Sequence, residues 1–293
     1  MTLDIRQIHP LFVGEVHGID LRLALDAATV GEIIAALDRH AVLVFRGQDL
    51  EPRQQIAFAQ NLGPLYLGLR KIHQKKVHRY DEEAVSDISN VNEDGSIAER
   101  DSLKMYTMLA NQLWHSDGSF QRDAARYSTL HCVVNPPGGS VTEFADERAA
   151  YDALPDDFKK RLEGLRAEHF GLHSRIALGY DGYSEEDRRK LPPVDWPVVR
   201  VHSGSGRKTL YIGAHTTRIL EMHLAEGKLL LAELLEHTTQ REFVYRHDWR
   251  VGDLLIWDNR STLHRGLRYE LSERRELRRV STYDPEFAVS QAA

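Results

Sequence analysis

Residues able to hold a metal ion stand at two places far apart in this chain. His115 and Asp117, in NQLWHSDGSF, have His-x-Asp spacing, and residues two apart on a strand project to the same side. His264 follows the apolar run of GDLLIWDNRSTLHRG. Two histidines and one carboxylate on one face of an octahedron, with the opposite face open, are what a non-haem Fe(II) oxygenase needs. The pair alone is a weak signal, since with fifteen histidines in the chain roughly one His-x-Asp is expected by chance. Context strengthens it: the pair follows the apolar-aromatic Leu113-Trp114, and a fold that brings distant strands together supplies His264 as third ligand. His247-Asp248 would point to opposite faces of a strand, and His169, His173 and His237 lack a matching carboxylate, so these read as structural or surface residues. A single cysteine excludes cysteine-based zinc.

A second constellation is RRELRR, Arg274 to Arg279. In a strand Arg275, Leu277 and Arg279 share one face and Arg274, Glu276 and Arg278 the other. The bland reading is a solvated basic edge. The run begins only ten residues after His264 (274 − 264 = 10) in an acidic protein, however, and two guanidiniums on the metal-facing side suit bidentate capture of carboxylates.

The elements that must position these groups are short. ATVGEIIAALDRH has helical apolar spacing, AVLVF is a continuous apolar run, and EPRQQIAFAQNLG is a helix with proline at its start. From Tyr66 to Ala110 the pattern weakens into polar, mixed-charge sequence, expected to form long loops and a lid. YSTLHCVV, VTEFAD, PVVRVH, KTLYIGAH, REFVYRH, DLLIWD and ELRRVSTYD then read as strands, with HSGSGRK a hairpin connection. AAYDALPDDFKKRLEGL and LAEGKLLLAELLEHTT are helical interruptions. Many short strands with insertions predict a mainly β chain with helical insertions, a double-stranded β-helix or jelly roll, rather than a doubly wound fold, which would show a glycine-rich phosphate loop.

Over 293 residues, 42% hydrophobic and 28% charged, the chain is expected to form one domain, 1–293. A net charge of −6 argues against nucleic acid as a partner, because binding there relies on excess Lys and Arg. No stretch is apolar enough to span a membrane, and MTLDIRQIHP lacks a basic apolar leader, so a cytoplasmic location is expected. Cys132, in YSTLHCVV, reads as a small core hydrophobe.

WHSD, PPGGSVTEF, WDNRSTLHRG and the arginines beyond resemble the taurine dioxygenase family of Fe(II)/2-oxoglutarate enzymes, over nearly the whole chain from VLVFRGQDL to RRVSTYD. Within it the likeness is greatest to the 2,4-dichlorophenoxyacetate dioxygenase branch, through ANQLWHSD, AAYDALP, LLAELLEH and QREFVYRH. The resemblance implies that His115, Asp117 and His264 hold Fe(II), and that O₂ and 2-oxoglutarate are co-substrates. It implies that Thr142 and Arg275 bind the distal carboxylate of 2-oxoglutarate with Trp257 packed nearby, and that Arg279 faces the acidic group of the substrate beside Asn111. Lys71 and His215 are further pocket candidates. It implies hydroxylation of a small carboxylate, an aryloxyalkanoate of the phenoxyacetate type cleaved to a phenol and glyoxylate, by a homo-oligomer. One departure bears on substrate: where those enzymes are expected to carry a lysine before the iron motif, DGSIAER has Ser96. A sulfonate or alkyl sulfate remains the alternative substrate. A zinc hydrolase or non-catalytic metal protein could share the triad, but has no reason to carry Thr142 and Arg275.

Overall fold

The computed structural model describes residues 3–68, 79–180 and 182–284 and is mainly β with helical segments. The larger sheet runs in the order β1 (Asp4–Gln7), β2 (Gly14–His17), β3 (Val42–Phe45), β14 (Leu254–Asp258), β6 (Ala125–Val134), β16 (Glu276–Tyr283) and β4 (Leu65–Tyr66). A further strand, β5 (Ser86–Ser89), also pairs with β16. A smaller sheet orders β13 (Val244–Asp248), β7 (Val141–Asp146) and β15 (Thr262–Gly266). Another joins β12 (Thr216–Ile219), β8 (Arg166–His169) and β9 (Val194–Pro197), and β10 (Val199–Val201) pairs with β11 (Lys208–Leu210) as the HSGSGRK connection predicts.

The side chains of the larger sheet alternate between two interiors, as the period of two in a strand requires. Leu43, Phe45, Leu254 and Ile256 pack on one side with Ile33 and Leu37 of α1 (Ala27–His40) and Phe58 of α2 (Pro52–Gln60). Val42, Val44, Leu255 and Trp257 pack on the other, with Leu130, Leu277 and, from the smaller sheet, Phe144. Every residue of β14 is therefore buried, which is why its sequence is continuously apolar rather than alternating. The second interior, between the two sheets, is where the candidate site lies.

The helices follow local sequence rules. Asp26 caps α1 by accepting the Thr29 N–H at 2.7 Å. Pro52 starts α2, where its missing N–H costs nothing. The single helical segment expected across AAYDALPDDFKKRLEGL is instead two, α4 (Glu147–Ala153) and α5 (Asp156–Leu162), because Pro155 cannot continue the first and caps the second.

The stretch 66–110, expected as loops, is more structured than its polar sequence suggests. It contributes β5, a Val91–Ile97 bridge and α3 (Leu103–Ala110), with Ser102 accepting the Met105 N–H as cap. Within it Lys104 Nζ lies 2.7 Å from Asp87 Oδ2, and Arg79 ties it to Glu276 of β16. Residues 69–78, part of the expected lid, and Lys71 among them, lie outside the described residues. Later segments supply α6 (His173–Ala177), α7 (Glu185–Lys190) and α8 (Leu224–Thr238). No helix among the described residues is long and apolar enough to cross a membrane.

If β14 is the doubly buried centre, Ile256→Ala should lower stability in urea by about 2–5 kcal/mol, whereas Leu229→Ala on α8 should change it by no more than about 0.5 kcal/mol. Ile256 is fully buried and Leu229 is 72% exposed. Equal costs for the two would contradict this packing.

Candidate active site

The triad is assembled by backbone pairing. His115 and His264 form an isolated antiparallel bridge, the His115 N–H donating to the His264 carbonyl at 3.0 Å and the His264 N–H donating back at 2.9 Å. Residues opposed in this way project from the same face. Asp117 follows two positions on, and the three side chains present ligand-type atoms all within 4.8 Å of one another.

Each ligand candidate is oriented by neighbours. His115 Nδ1 is 2.7 Å from the Leu113 carbonyl, so that nitrogen carries the proton and Nε2 is left with a lone pair. Asp117 Oδ2 accepts from Ser128 Oγ at 2.7 Å, and Asn259 Oδ1 receives the Asp117 N–H at 3.0 Å. The same Asn259 oxygen accepts from Trp257 Nε1 at 2.8 Å, while its amide nitrogen donates to Ser128. Asp117 Oδ1 is paired with the Arg279 guanidinium. His264 Nδ1 is buried with no partner, an unusual state for a polar atom unless something outside the protein engages the ring.

Electrostatics match a divalent cation. Burial pushes the Asp117 carboxyl up, but Arg279, His264 and His115 outweigh it and hold the pKa at about 2. Burial keeps both histidines neutral, His264 well below its usual value and further lowered by His115. Two neutral imidazoles and a carboxylate are thus ready as donors without losing a proton. A second grouping of ligand-type atoms, Asp38, His202 and Asp258, is different: Arg260 lies 2.6 Å from Asp258 Oδ2 and already supplies the cation.

Beside the triad, between the sheets, lies a small cavity of about 40 Å³ lined by Thr142, Trp257, His264, Arg275 and Arg279 among others. Thr142 Oγ accepts from Trp249 Nε1 at 2.8 Å, which leaves the threonine proton free to be donated. Arg275 lies just before β16, its N–H held by Asn90 Oδ1 at 3.0 Å, its guanidinium 5.3 Å from the Tyr269 ring centre. It is buried, burial lowers its pKa, and its Nε has no partner. A buried guanidinium without a carboxylate is costly unless an anion arrives. The pair therefore fits one end of a dicarboxylate, and the donor set beside it fits a metal.

A larger cavity of about 440 Å³ adjoins, sharing His115, Asn111 and Arg279 with the small one and adding Asp117, Phe120, Arg175 and His215. His215 is buried with its Nδ1 unpartnered and its ring 6.1 Å from that of His115. Arg279 shares the inner face with Leu277 as the strand alternation predicts, while Arg278 points to the other side, within 3.0 Å of His131 Nδ1. The structure thus brings together His115, Asp117, His264, Thr142, Trp257, Arg275, Arg279, Asn111 and His215. Ser96 is outside both cavities, bonded instead to Asp94 Oδ1 at 2.6 Å in an exposed turn. Ser128, Trp249, Asn259 and Arg175 were not anticipated. WDNR hinted at Asn259, but nothing in sequence links Trp249 to Thr142 before β13 and β7 are paired.

Residues 4–281 match the Taurine catabolism dioxygenase TauD, TfdA family. The chain belongs to that family. It is 57% identical, over 97% of its length and 99% of the relative's, to an alpha-ketoglutarate-dependent 2,4-dichlorophenoxyacetate dioxygenase of Cupriavidus pinatubonensis. It is 33% identical, over 96% of its length and 89% of the relative's, to an alpha-ketoglutarate-dependent sulfate ester dioxygenase of Pseudomonas putida. Among solved structures, AAD-2 in complex with Mn(II) and N-oxalylglycine superposes with a TM-score of 0.88 at 43% identity, covering 97% of both chains.

The buried neutral histidines carry a pH consequence for the metal-free protein. Their folded pKa values lie below the unfolded value of about 6.5, so stability is full above that pH and falls as pH drops below it, where the unfolded chain binds protons that the folded one resists. Urea midpoints should decline from about pH 7 to about pH 5, and His264→Leu should flatten that slope by up to about 1.4 kcal/mol per pH unit. An identical slope in the two proteins would show that His264 is not held neutral.

Proposed function

We propose that this chain is an Fe(II)- and 2-oxoglutarate-dependent dioxygenase that hydroxylates a small aryloxyalkanoate of the phenoxyacetate type. The observation carrying the reading is the buried Arg275 guanidinium, unpartnered at Nε, beside a two-histidine, one-carboxylate cluster. A hydrolase has no use for a second anion pocket there, whereas a dioxygenase must hold a dicarboxylate next to its metal. The substrate class is supported by the 57% identical relative, whose name gives 2,4-dichlorophenoxyacetate.

His115, Asp117 and His264 would hold the iron, which when bound supplies O₂ activation with 2-oxoglutarate as reductant. The chain's own residues bind and orient. Thr142 donates its hydroxyl proton, and Arg275 its planar fork, to the distal carboxylate of 2-oxoglutarate, with Trp257 packed alongside. Arg279 keeps Asp117 ionised and, with Asn111 and His215, forms the polar side of the substrate cavity. Lys71 joins these as a candidate outside the described residues. The carbon between ether oxygen and carboxylate is held towards the metal, so the reaction gains mainly from orientation. O₂ places one oxygen in succinate, released with CO₂, and one on that carbon, and the hemiacetal formed separates into a phenol and glyoxylate.

We read the architecture as a double-stranded β-helix in one domain over 1–293, supported by the two facing sheets and by neighbours of this family. Within 66–110, α3 and β5 border the larger cavity and form the wall nearest the substrate. The protein acts as a homo-oligomer in the cytoplasm, with exposed Leu220, Leu224 and Leu229 as apolar surface supporting assembly. A sulfate ester is the second substrate reading, favoured by the 33% identical relative.

Anaerobic addition of Fe(II) and 2-oxoglutarate together should give the weak visible absorption of an iron–keto acid chelate. In air, phenoxyacetate should yield succinate and phenol. Sulfite from taurine, or aldehyde from an alkyl sulfate, without phenol from phenoxyacetate would overturn the substrate assignment, and full activity with zinc would overturn the oxygenase reading. Arg275→Lys keeps the charge and loses the fork, so it should raise the KM for 2-oxoglutarate by about tenfold or more before metal affinity changes. An unchanged KM for 2-oxoglutarate would remove Arg275 from the site.

A further inference from the structure

Besides Thr142 and Arg275, the small cavity between the sheets carries a further polar side chain. Tyr269, in the connection from β15 to β16, lines it with them. Its Oη is buried and has no hydrogen-bond partner among the described residues. A buried phenol hydroxyl is disfavoured in that state unless something outside the protein engages it. The ring itself is held, with the Arg275 guanidinium 5.3 Å from its centre. The connection is pinned on both sides of Tyr269. The Leu267 N–H donates to the Val141 carbonyl at 2.9 Å, and Asn90 Nδ2 donates to the Leu271 and Glu273 carbonyls at 2.9 and 2.8 Å. Val141 precedes Thr142, and Asn90 Oδ1 also accepts the Arg275 N–H, so the same anchors position Tyr269, Thr142 and Arg275 relative to one another.

We propose that the Tyr269 hydroxyl is a further donor to the distal carboxylate of 2-oxoglutarate, alongside Thr142 and Arg275. The proposal rests on the reading of this cavity as the co-substrate site. A carboxylate offers about four acceptor positions, of which the Arg275 fork fills about two and the Thr142 hydroxyl about one. The remaining position needs a donor, because a buried anion with an unmet lone pair is costly. A cavity of about 40 Å³, once the end of a dicarboxylate occupies it, has no space for a water to serve instead. Burial raises the phenol pKa against the opposing pull of Arg275, so the hydroxyl keeps its proton and meets an anion as a donor. The rival role is that Tyr269 acts through its ring face alone, as a cation–π cover for Arg275. Tyr269→Phe separates the two, since it removes the hydroxyl and keeps the ring.

Binding of 2-oxoglutarate, and of 2-oxopentanoate, which lacks the distal carboxylate, should be measured by anaerobic calorimetry on Fe(II)-loaded wild type and Tyr269→Phe. Urea midpoints of the two ligand-free proteins and the KM for 2-oxoglutarate complete the comparison. Tyr269→Phe should weaken 2-oxoglutarate about tenfold, as expected for loss of a hydrogen bond to a charged group, and leave the affinity for 2-oxopentanoate as it was. The KM for 2-oxoglutarate should rise by about the same factor, with a smaller change in kcat. Because the hydroxyl has no partner in the protein, the ligand-free variant should be at least as stable as wild type. An unchanged affinity for 2-oxoglutarate would leave only the ring contact with Arg275 and overturn the assignment. Equal weakening of both keto acids, or a ligand-free variant less stable than wild type, would show that the hydroxyl serves the fold and would overturn it too. Wild type that binds no 2-oxoglutarate would instead overturn the proposed function, and this inference with it.

Discussion

The site depends on one pair of backbone hydrogen bonds. By exchanging N–H and carbonyl groups, His115 and His264 bring imidazoles from distant segments onto one face, and Asp117, at the start of the turn that follows, adds its carboxylate to the same cluster. The pairing needs support on both sides. On the His264 side it is β15 against β7, where His264 opposes Phe144 and Gly266 opposes Thr142. One register therefore positions both the third ligand and the candidate co-substrate hydroxyl. A slip of one residue in β15 would turn His264 to the face opposite Thr142, so the metal and co-substrate sites depend on the same register.

The interior that holds these groups is apolar, and its polar members are arranged to be mutually dependent. Asn259 links the indole of Trp257, the backbone of Asp117 and the hydroxyl of Ser128, so the tryptophan that packs the cavity also fixes the carboxylate. The β14, β6 and β16 registers line up Trp257, Ser128 and Ser281 in one row and Leu255, Leu130 and Arg279 in the next. Function and packing thus alternate along the same inner face, and changes to the apolar members would move the polar ones.

Charge is distributed with a similar economy. Asp258 with Arg260, and Asp253 with Arg46 and His247, are closed structural networks away from the cavities. Facing the cavities, by contrast, Arg275 and Arg175 lack protein carboxylates among the described residues. Uncompensated cations in a low-dielectric interior oppose folding, and a protein with net charge −6 had acidic residues available to neutralise them.

The sequence by itself determined the ligand types and the local periodicities. His115-x-Asp117, an apolar strand before His264, alternating arginines after it and a proline at the head of α2 are each short-range patterns, and local sterics are enough to read them. It also carried the family likeness, since the motif phrases are contiguous. Tertiary structure decided what contiguity cannot encode. It separated Arg279, paired with Asp117, from Arg275 and Arg175, because partner choice depends on side chains brought together across strands. It gave Thr142 its donor orientation through Trp249, a contact that exists only once β13 lies on β7. It also turned part of the polar stretch 66–110 into β5 and α3, since polar sequence that borders a cavity and pairs its charges with protein carboxylates, as Lys104 with Asp87 and Arg79 with Glu276, has the same composition as a solvated loop. Residue type is a property of the chain, but compensation of a buried charge is a property of its surroundings, and those arise only on folding.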